Sequence, residues 1–333
     1  MKVGLLDIFG ERIMREDTKQ YKDMSDTLRA RIEAQGYTPV TPDKQSFFDP
    51  YYDAMEGHWS ANTSFLNLWA WKESYPAFYK EFGENIILIN YLRTEGYPVA
   101  VPCLGPYSNE NVQAVIGELK KDFAAFEYPL VFMDITPWML PYYTSGDTQF
   151  DIEDLREYQD YVFTPEEFLA GMDMQDDRYR YRYFKRKFEY ETVEITPELY
   201  DECSAFMEEH WCVDKACDEC HCGCLKKVVE NLVPYFDTLR VYGILVRVNG
   251  EAAGICIVTS RNGLGIYQYK NAINKIKGLN EYLLRECFER YMQGKVDMIN
   301  YTEDMGVESL RYYKEHMAPS YSLLSKYTLT IKE

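Results

Sequence analysis

The chain has 333 residues and a formal charge of −18, because 54 Asp and Glu outnumber 36 Lys and Arg. This charge excludes a generally basic protein that coats nucleic acid. The length predicts about two domains, and a hydrophobic content of 46% supplies enough apolar side chains for two packed cores. Tyr is abundant, at 30 residues against 17 Phe, so many aromatic rings must keep a hydrated or hydrogen-bonded edge. Most are expected at the rim of the core, and the alternative is that some line a polar channel.

The first 45 residues predict an N-terminal helical extension. Met24, Leu28 and Ile32 recur at helical spacing, and Gly36 marks the end of that helix. No apolar run has the features of a signal peptide or the length of a membrane-spanning helix. We therefore expect a soluble, cytoplasmic protein.

The residues from 85 to 135 predict the order strand, strand, helix, strand. The apolar segments 85–92 and 97–103 are separated by a Thr-Glu-Gly turn, which is typical of a hairpin. Residues 109–126 carry apolar side chains at helical spacing, and residues 128–135 form an apolar run typical of a buried strand.

The second half predicts three antiparallel strands followed by a helix. Asn249-Gly250 separates the strands predicted at 241–248 and 253–259, and this dipeptide is a strong hairpin signal. A second Asn-Gly turn at residues 262 and 263 leads into a strand at 265–270. After Gly278 an amphipathic helix begins. The remaining residues predict a strand at 297–301, a helix at 307–316 and a last strand at 321–331, and the whole order indicates an α+β layer architecture.

This order of elements, with a glycine at the start of the helix after the third strand, resembles the GNAT acyltransferase fold. In that family the pyrophosphate of the donor lies on the backbone N–H groups of this helix, where unpaired donors and a partial positive charge stabilise phosphate. The alternative is a solvated helix cap. The resemblance implies a donor site formed by Lys270, Lys275, Lys277, Gly278, Leu279 and Asn280.

Longer segments are similar to one family in particular. They include Asn67-Leu68-Trp69, Pro102-Cys103-Leu104-Gly105 and Glu303-Asp304-Met305-Gly306. They resemble the C-terminal domain of phosphatidylglycerol lysyltransferases, over roughly residues 45–330.

The family resemblance implies two tandem GNAT-like domains, each a mixed, mainly antiparallel sheet with flanking helices, at residues 46–175 and 176–333. It implies transfer of an acyl or aminoacyl group to an amine or hydroxyl. The donor would be a coenzyme A thioester or an aminoacyl-tRNA. The alternative is a non-catalytic ligand-binding protein on a degenerate GNAT scaffold, which the replacement of the usual small residue by Asn280 favours.

Acyl transfer needs a group that removes the proton of the acceptor and a group that protonates the leaving group. If the fold is of the GNAT type, Glu303 and Asp304 follow a strand at the cleft and are the acid/base candidates. Tyr312, or the adjacent Tyr313, is the candidate proton donor. The alternative for the two carboxylates is a helix cap and first-turn pair before Val307.

Arginine and tyrosine alternate between Arg178 and Lys187. Basic residues interleaved with aromatic rings suit contacts to the phosphates and bases of RNA, so this segment is a candidate local tRNA contact. The same alternation is typical of a strand with one charged and one aromatic face, paired with the acidic residues 173–177. We favour the strand, because the net charge of the chain repels polyanions.

A cluster of cysteines lies in the second half. Cys212, Cys217, Cys220 and Cys222, with His210 and His221 nearby, meet the type and number of ligands that tetrahedral zinc requires. The alternative is a set of reduced thiols in a connecting loop. Zinc at this place would fix the loop and would not define the reaction.

Overall fold

The computed structural model describes residues 22–57, 59–210 and 225–332. These residues form two compact units. We call residues 22–159 with 324–332 the N-terminal unit, and residues 160–210 with 225–323 the C-terminal unit. No helix in the described ranges combines the length and the apolar character needed to span a bilayer.

The described residues form fourteen strands and eleven α-helices. The strands are β1 (Thr38–Pro39), β2 (Ala77–Phe82), β3 (Asn85–Leu92), β4 (Tyr97–Leu104), β5 (Val131–Ile135), β6 (Phe150–Asp154), β7 (Asp160–Phe163), β8 (Tyr190–Glu194), β9 (Tyr242–Val248), β10 (Glu251–Arg261), β11 (Gly263–Ala272), β12 (Val296–Asn300), β13 (Ser322–Leu324) and β14 (Tyr327–Ile331). The helices are α1 (Asp26–Ala34), α2 (Gln45–Asp53), α3 (Phe65–Ala70), α4 (Asn109–Phe126), α5 (Leu140–Tyr143), α6 (Pro165–Met172), α7 (Gln175–Lys187), α8 (Tyr200–His210), α9 (Leu225–Leu232), α10 (Leu279–Cys287) and α11 (Glu308–Glu315).

The N-terminal unit contains a mixed sheet in the order β1-β2-β3-β4-β5-β14-β6. The hairpin predicted from residues 85–103 is present as β3 and β4. The helix predicted at 109–126 is α4, which Ser108 caps by accepting from the Asn111 N–H. The N-terminal helix predicted from Met24, Leu28 and Ile32 is α1, while residues 1–21 of that extension lie outside the described residues.

The C-terminal unit contains the second sheet, in the order β13-β7-β12-β11-β10-β9-β8. Both predicted Asn-Gly turns are present. Asn249 and Gly250 have φ of 53° and 87°, and Asn262 and Gly263 have φ of 49° and 74°. Two consecutive positive φ values are what the tight turns of right-twisted hairpins require, and Asn and Gly adopt them at low cost.

The division into units differs from the predicted boundary between residues 175 and 176. β7, at Asp160–Phe163, pairs with β12 and therefore belongs to the second sheet. The single strand predicted at 321–331 is two strands, of which β13 lies in the second sheet and β14 in the first. Lys326, between them, is buried with its ammonium 3.9 Å from the Asp134 carboxylate at the end of β5.

The strand favoured for Arg178–Lys187 was wrong, because these residues belong to the helix α7. Acidic residues in the first turn and basic residues in the last turn match the helix dipole. Side chains four residues apart meet along this helix, as Tyr179 and Tyr183 do at 6.1 Å between ring centroids. Phe184 is fully buried and packs against Tyr282 of α10 at 4.8 Å. The burial of Phe184 against Tyr282 therefore favours a helix here, although the alternation of arginine and tyrosine is typical of a strand.

Candidate active site

The opening between β11 and β12 forms the centre of the candidate site. β12 pairs in parallel with only the first part of β11, and the last pair is Ile266 with Asn300. β11 continues to Ala272 while remaining paired with β10 on its other side. From Tyr267 onward, the edge of β11 that faces β12 is therefore free of ladder pairing with that strand.

A β-bulge lies at the same place. Ile257 pairs with Tyr269 and Val258 with Tyr267, so Gln268 is the extra residue on β11. Bulges re-aim side chains and are frequent next to active sites. Lys270, opposite Cys256 in the register, lies on β11 two residues beyond this bulge.

Lys270 brings a cation to this opening. Its Nζ lies 3.2 Å from the Tyr313 hydroxyl and 5.4 Å from the centroid of that ring. Within residues 22–57, 59–210 and 225–332 it has no carboxylate oxygen within 4.0 Å. Burial opposes its charge, but the phenol oxygens of Tyr301 and Tyr313 more than offset burial and raise the pKa of Lys270. Lys270 therefore remains an ammonium that can donate to a carbonyl oxygen or an anion.

Aromatic rings surround the ammonium. Tyr301 follows β12 and lies between Tyr267 and Tyr313, with ring centroids 5.2 Å and 6.5 Å away. The hydroxyl of Tyr267 donates to the carbonyl oxygen of Leu284 at 2.8 Å. These uncharged aromatic side chains therefore lie next to Lys270.

The structure separates the two tyrosines that the sequence offered as proton donors. Tyr312 is 64% exposed and stacks on His316 at 4.0 Å between ring centroids. Tyr313, the next residue, contacts Lys270. Successive residues of a helix point about 100° apart, so only one of the two faces the opening. The structure therefore brings Tyr313 to the site, and it does not bring Tyr312 there.

Asp304 is fully buried and its carboxylate is saturated with donors. It accepts from Arg311 at 2.9 Å and 3.0 Å, from the Tyr161 hydroxyl at 2.8 Å and from the Gly306 N–H at 2.9 Å. Burial raises the pKa of Asp304, but the hydrogen bonds from Arg311, Tyr161 and Gly306 dominate and lower it to about 2. These contacts favour a structural role for Asp304 over the predicted acid/base role.

Glu303 belongs to the loop that follows β12 and is half-buried. The loop is fixed by Lys314, whose buried Nζ donates to the carbonyl oxygens of Tyr301 at 2.6 Å, Thr302 at 3.1 Å and Glu303 at 2.7 Å. Sequence analysis missed Lys314, since one lysine on an amphipathic helix carries no local signal of burial. The acid/base role of Glu303 stays a prediction, on a loop whose backbone is held in place.

The start of α10, the predicted donor loop, is packed against α7. Gly278 has φ of 90°, and a Cβ at this position would lie 2.1 Å from the carbonyl oxygen of Arg180. The Leu279 N–H, one of the orphan donors of the first turn, donates to the Ile276 carbonyl oxygen at 3.2 Å. The carboxylate of Glu281 pairs with the Arg180 guanidinium at 3.0 Å. The Leu279 N–H and the Arg180 guanidinium, which could otherwise bind a donor pyrophosphate, are thus already engaged within the chain.

The other predicted donor residues lie around this turn. Lys275 and Lys277 are exposed, and Asn280 is half-buried. The ammonium of Lys277 lies over the rings of Tyr179 and Tyr183, 4.9 Å and 5.1 Å from their centroids. The predicted loop and the Arg/Tyr segment therefore form one continuous surface, a relation that sequence reasoning did not predict.

The predicted zinc ligands Cys212, Cys217, Cys220 and Cys222 lie outside the described residues. In the part of the chain that the structure describes, no group of three or more His, Cys, Asp or Glu side chains is arranged to hold a metal ion. The zinc site stays a prediction.

A family model for the C-terminal domain of phosphatidylglycerol lysyltransferase matches residues 56–330. The chain belongs to this family. The match confirms the resemblance carried by the Asn-Leu-Trp and Glu-Asp-Met-Gly segments.

Solved structures share the fold of this family member at low sequence identity. A conserved protein of unknown function from Bacteroides thetaiotaomicron superposes with a TM-score of 0.76 at 19% identity, covering 89% of this chain and 99% of that one. The C-terminal domain of a putative lysylphosphatidylglycerol synthetase from Agrobacterium fabrum gives 0.59 at 11% identity, covering 88% and 93%. FemX also gives 0.59, at 9% identity, covering 89% and 97%. No curated protein sequence matches. The predicted α+β class, with two mixed sheets and flanking helices, is confirmed.

Proposed function

We propose that this chain transfers an acyl group, and specifically an aminoacyl group, to an amine or hydroxyl acceptor. Membership of the family supports the reaction type. The observation that carries the proposal is the Lys270 ammonium. It lies where β11 and β12 separate, hydrogen-bonded to Tyr313, with no carboxylate partner among the described residues.

The reaction replaces the bond between the acyl carbon and the donor by a bond between that carbon and the acceptor. The nitrogen or oxygen of the acceptor attacks the acyl carbonyl, whose oxygen becomes an oxyanion. Lys270, with Tyr313 behind it, would donate to this oxygen, where a preorganised donor is worth most. The acceptor proton would pass to Glu303, the half-buried carboxylate on the loop after β12, and the departing oxygen or sulfur of the donor would take up a proton.

The surface around the donor loop favours an aminoacyl-tRNA over a coenzyme A thioester as the donor. The first turn of α10 carries the Glu281 carboxylate, and Leu279 already donates its N–H within the chain, so a pyrophosphate gains little there. On α7, Arg178, Arg182 and Arg186 are exposed and form no ion pair within the described residues. Exposed guanidinium groups beside aromatic rings suit RNA phosphates and bases.

The test is a Lys270→Met variant assayed for the transfer of label from a pool of charged tRNA into a small-molecule extract. We expect kcat/KM to fall about 100-fold, the effect of removing one oxyanion donor. Lys295→Met is the matched control, because Lys295 is exposed and lies outside the donor loop, and it should change the rate little. A Lys270→Met protein that is folded by circular dichroism and as active as the wild type would contradict the proposal.

The second candidate is a non-catalytic binding protein, and the contact of Arg180 with Gly278 favours it. Coenzyme A, acetyl-coenzyme A and charged tRNA would be compared in a thermal-shift experiment. A ligand at 100 times its Kd stabilises a protein by about 2.7 kcal/mol. Stabilisation by charged tRNA without any loss of its aminoacyl group would support this candidate over the transferase.

A further inference from the structure

Lys314, on α11, has a buried ammonium enclosed by oxygen atoms of the loop that follows β12. Its Nζ donates to the carbonyl oxygens of Tyr301 at 2.6 Å, Thr302 at 3.1 Å and Glu303 at 2.7 Å, and it lies 3.1 Å from the Thr302 hydroxyl oxygen. Only 3% of the residue is exposed. An ammonium carries three protons, so three carbonyl acceptors match its whole donor capacity. The Lys314 ammonium is thus committed to this loop.

The loop holds Thr302 in a backbone conformation that a β-branched residue rarely adopts. Thr302 has φ of 59°, in the left-handed region where a branched Cβ crowds the backbone. The carbonyl oxygens of three consecutive residues, 301–303, meet at one Nζ. Oxygen atoms with partial negative charge repel one another at this spacing unless a cation lies between them. The Lys314 ammonium supplies that cation, so the conformation of the loop depends on it.

Side chains of the second sheet hold the other side of Thr302. The Thr302 N–H donates to Asn300 Oδ1 at 2.8 Å, and Asn300 Nδ2 donates to Asp160 Oδ2 at 2.7 Å. Asn300 and Asp160 are fully buried. These contacts fix the N–H of Thr302, whereas Lys314 fixes its carbonyl oxygen and that of the next residue, Glu303.

The helix α11 connects this loop to the opening between β11 and β12. Tyr313, next to Lys314 on the helix, contacts the Lys270 ammonium. One rigid element therefore carries both the contact to Lys270 and the cation that holds the backbone of Glu303.

We propose that Lys314 is a positioning residue, whose ammonium keeps Thr302 in the left-handed conformation and thereby sets the place of the Glu303 carboxylate. The inference rests on the proposed function, in which Glu303 takes up the proton of the acceptor. Lys314 itself touches neither donor nor acceptor, because its protons are committed to the loop.

Lys314→Met tests this role in the transfer assay, because methionine keeps the apolar stem and removes the charge. We expect kcat to fall about 100-fold, the effect of misplacing a reacting group by about 1 Å, while the KM for charged tRNA changes by less than about twofold. Lys295→Met, at an exposed position, is the control and should change neither value. A folded Lys314→Met protein with the kcat of the wild type would overturn the inference.

A double-mutant cycle separates positioning from general damage. If Lys314 acts through Glu303, Lys314→Met should lower kcat much less in a Glu303→Gln protein than in the wild type, because the group that it positions is already lost. The same loss of kcat in both backgrounds would contradict the role of Lys314.

Thr302→Gly provides a second variant. Glycine adopts a positive φ at low cost, so Lys314→Met should reduce both stability and kcat less in a Thr302→Gly protein than in the wild type. Equal losses in the two backgrounds would contradict the link between the Lys314 ammonium and the conformation of Thr302.

Amide hydrogen exchange tests the loop without any turnover. The N–H groups of Thr302 and Gly306 donate to side chains of the same segment. In Lys314→Met we expect residues 301–306 to exchange at least about tenfold faster, while β9 and β10 exchange as in the wild type. Unchanged exchange of residues 301–306 in the folded variant would overturn the inference. Faster exchange in a protein that transfers nothing contradicts the transferase alone.

Discussion

Tyrosine hydroxyls make many of the contacts that shape the C-terminal unit. Tyr161 donates to Asp304, Tyr267 donates to a helix carbonyl oxygen and Tyr313 accepts from Lys270. The first two rings are buried, yet each hydroxyl has a partner. These tyrosines therefore pack their rings in the core and keep a hydrogen-bonded hydroxyl edge. That some tyrosines line a polar channel stays a prediction.

At the scale of single residues, Asp304→Asn tests the saturated carboxylate. The variant leaves Arg311 and Tyr161 without their anionic partner, and we expect the free energy of unfolding at pH 7 to fall by about 3 kcal/mol. The pKa of Asp304 is lowered from 3.8 to about 2 in the fold. The ionised Asp304 carboxylate thus makes its full contribution to the free energy of unfolding above pH 4, and this contribution is lost as the pH falls through 2.

Urea denaturation at pH 7 and at pH 2.5 would measure both effects. The difference in stability between the wild type and Asp304→Asn should shrink at the lower pH. Asp297→Asn, at an exposed position on β12, is the control and should behave like the wild type at both values. An Asp304→Asn protein as stable as the wild type at pH 7 would show that the ion pair with Arg311 contributes nothing.

At the scale of elements, the contact between α7 and α10 decides what the donor loop can bind. Local patterning predicted α10 correctly and assigned α7 to a strand, because a two-residue alternation fits a strand better than a helix. In this helix Phe184 and Tyr181 both pack against Tyr282, at 4.8 Å and 5.9 Å between ring centroids. That partner lies 98 residues from Phe184, beyond the reach of any pattern within the segment.

Gly278→Ala tests this contact. The new Cβ would lie 2.1 Å from the Arg180 carbonyl oxygen, and the residue has φ of 90°, so α7 must move or the backbone must strain. We expect a loss of about 3 kcal/mol in the free energy of unfolding. Gly250→Ala is the matched control: its φ is 87° and nothing lies within 4 Å of the new Cβ. The free energy of unfolding of Gly250→Ala should fall by only about 1 kcal/mol. Equal losses in the two variants would contradict the close approach of α7 to Gly278.

At the scale of the whole molecule, the charge of −18 excludes a generally basic surface and still allows a basic face on α7. The order of elements along the chain does not predict the sheet of the N-terminal unit. This sheet is completed by β14, which comes from the far end of the sequence. β14 pairs with β5 on one side and with β6 on the other. This sheet therefore closes only after the whole chain is present.

Deletion of residues 325–333 tests this dependence. It would expose the inner edges of β5 and β6, and we expect amide hydrogen exchange in both strands to increase by a factor of ten or more. β9 and β10, in the second sheet, should exchange as in the wild type. A deletion of residues 332–333 alone keeps β14 and is the control. Unchanged protection of β5 and β6 after the longer deletion would show that β14 does not hold this sheet together.

The sequence by itself determined the elements whose signals are local. The Asn-Gly hairpins, the helix at Asn109–Phe126 and the glycine before α10 follow from turn chemistry and from periodicity within a few residues. Short segments such as Asn67-Leu68-Trp69 and Glu303-Asp304-Met305-Gly306 indicated the family. Only the tertiary structure decided that Tyr313 faces Lys270, that Arg311 pairs with Asp304, and that β14 completes the first sheet. These depend on contacts between distant parts of the chain, which a linear pattern does not specify.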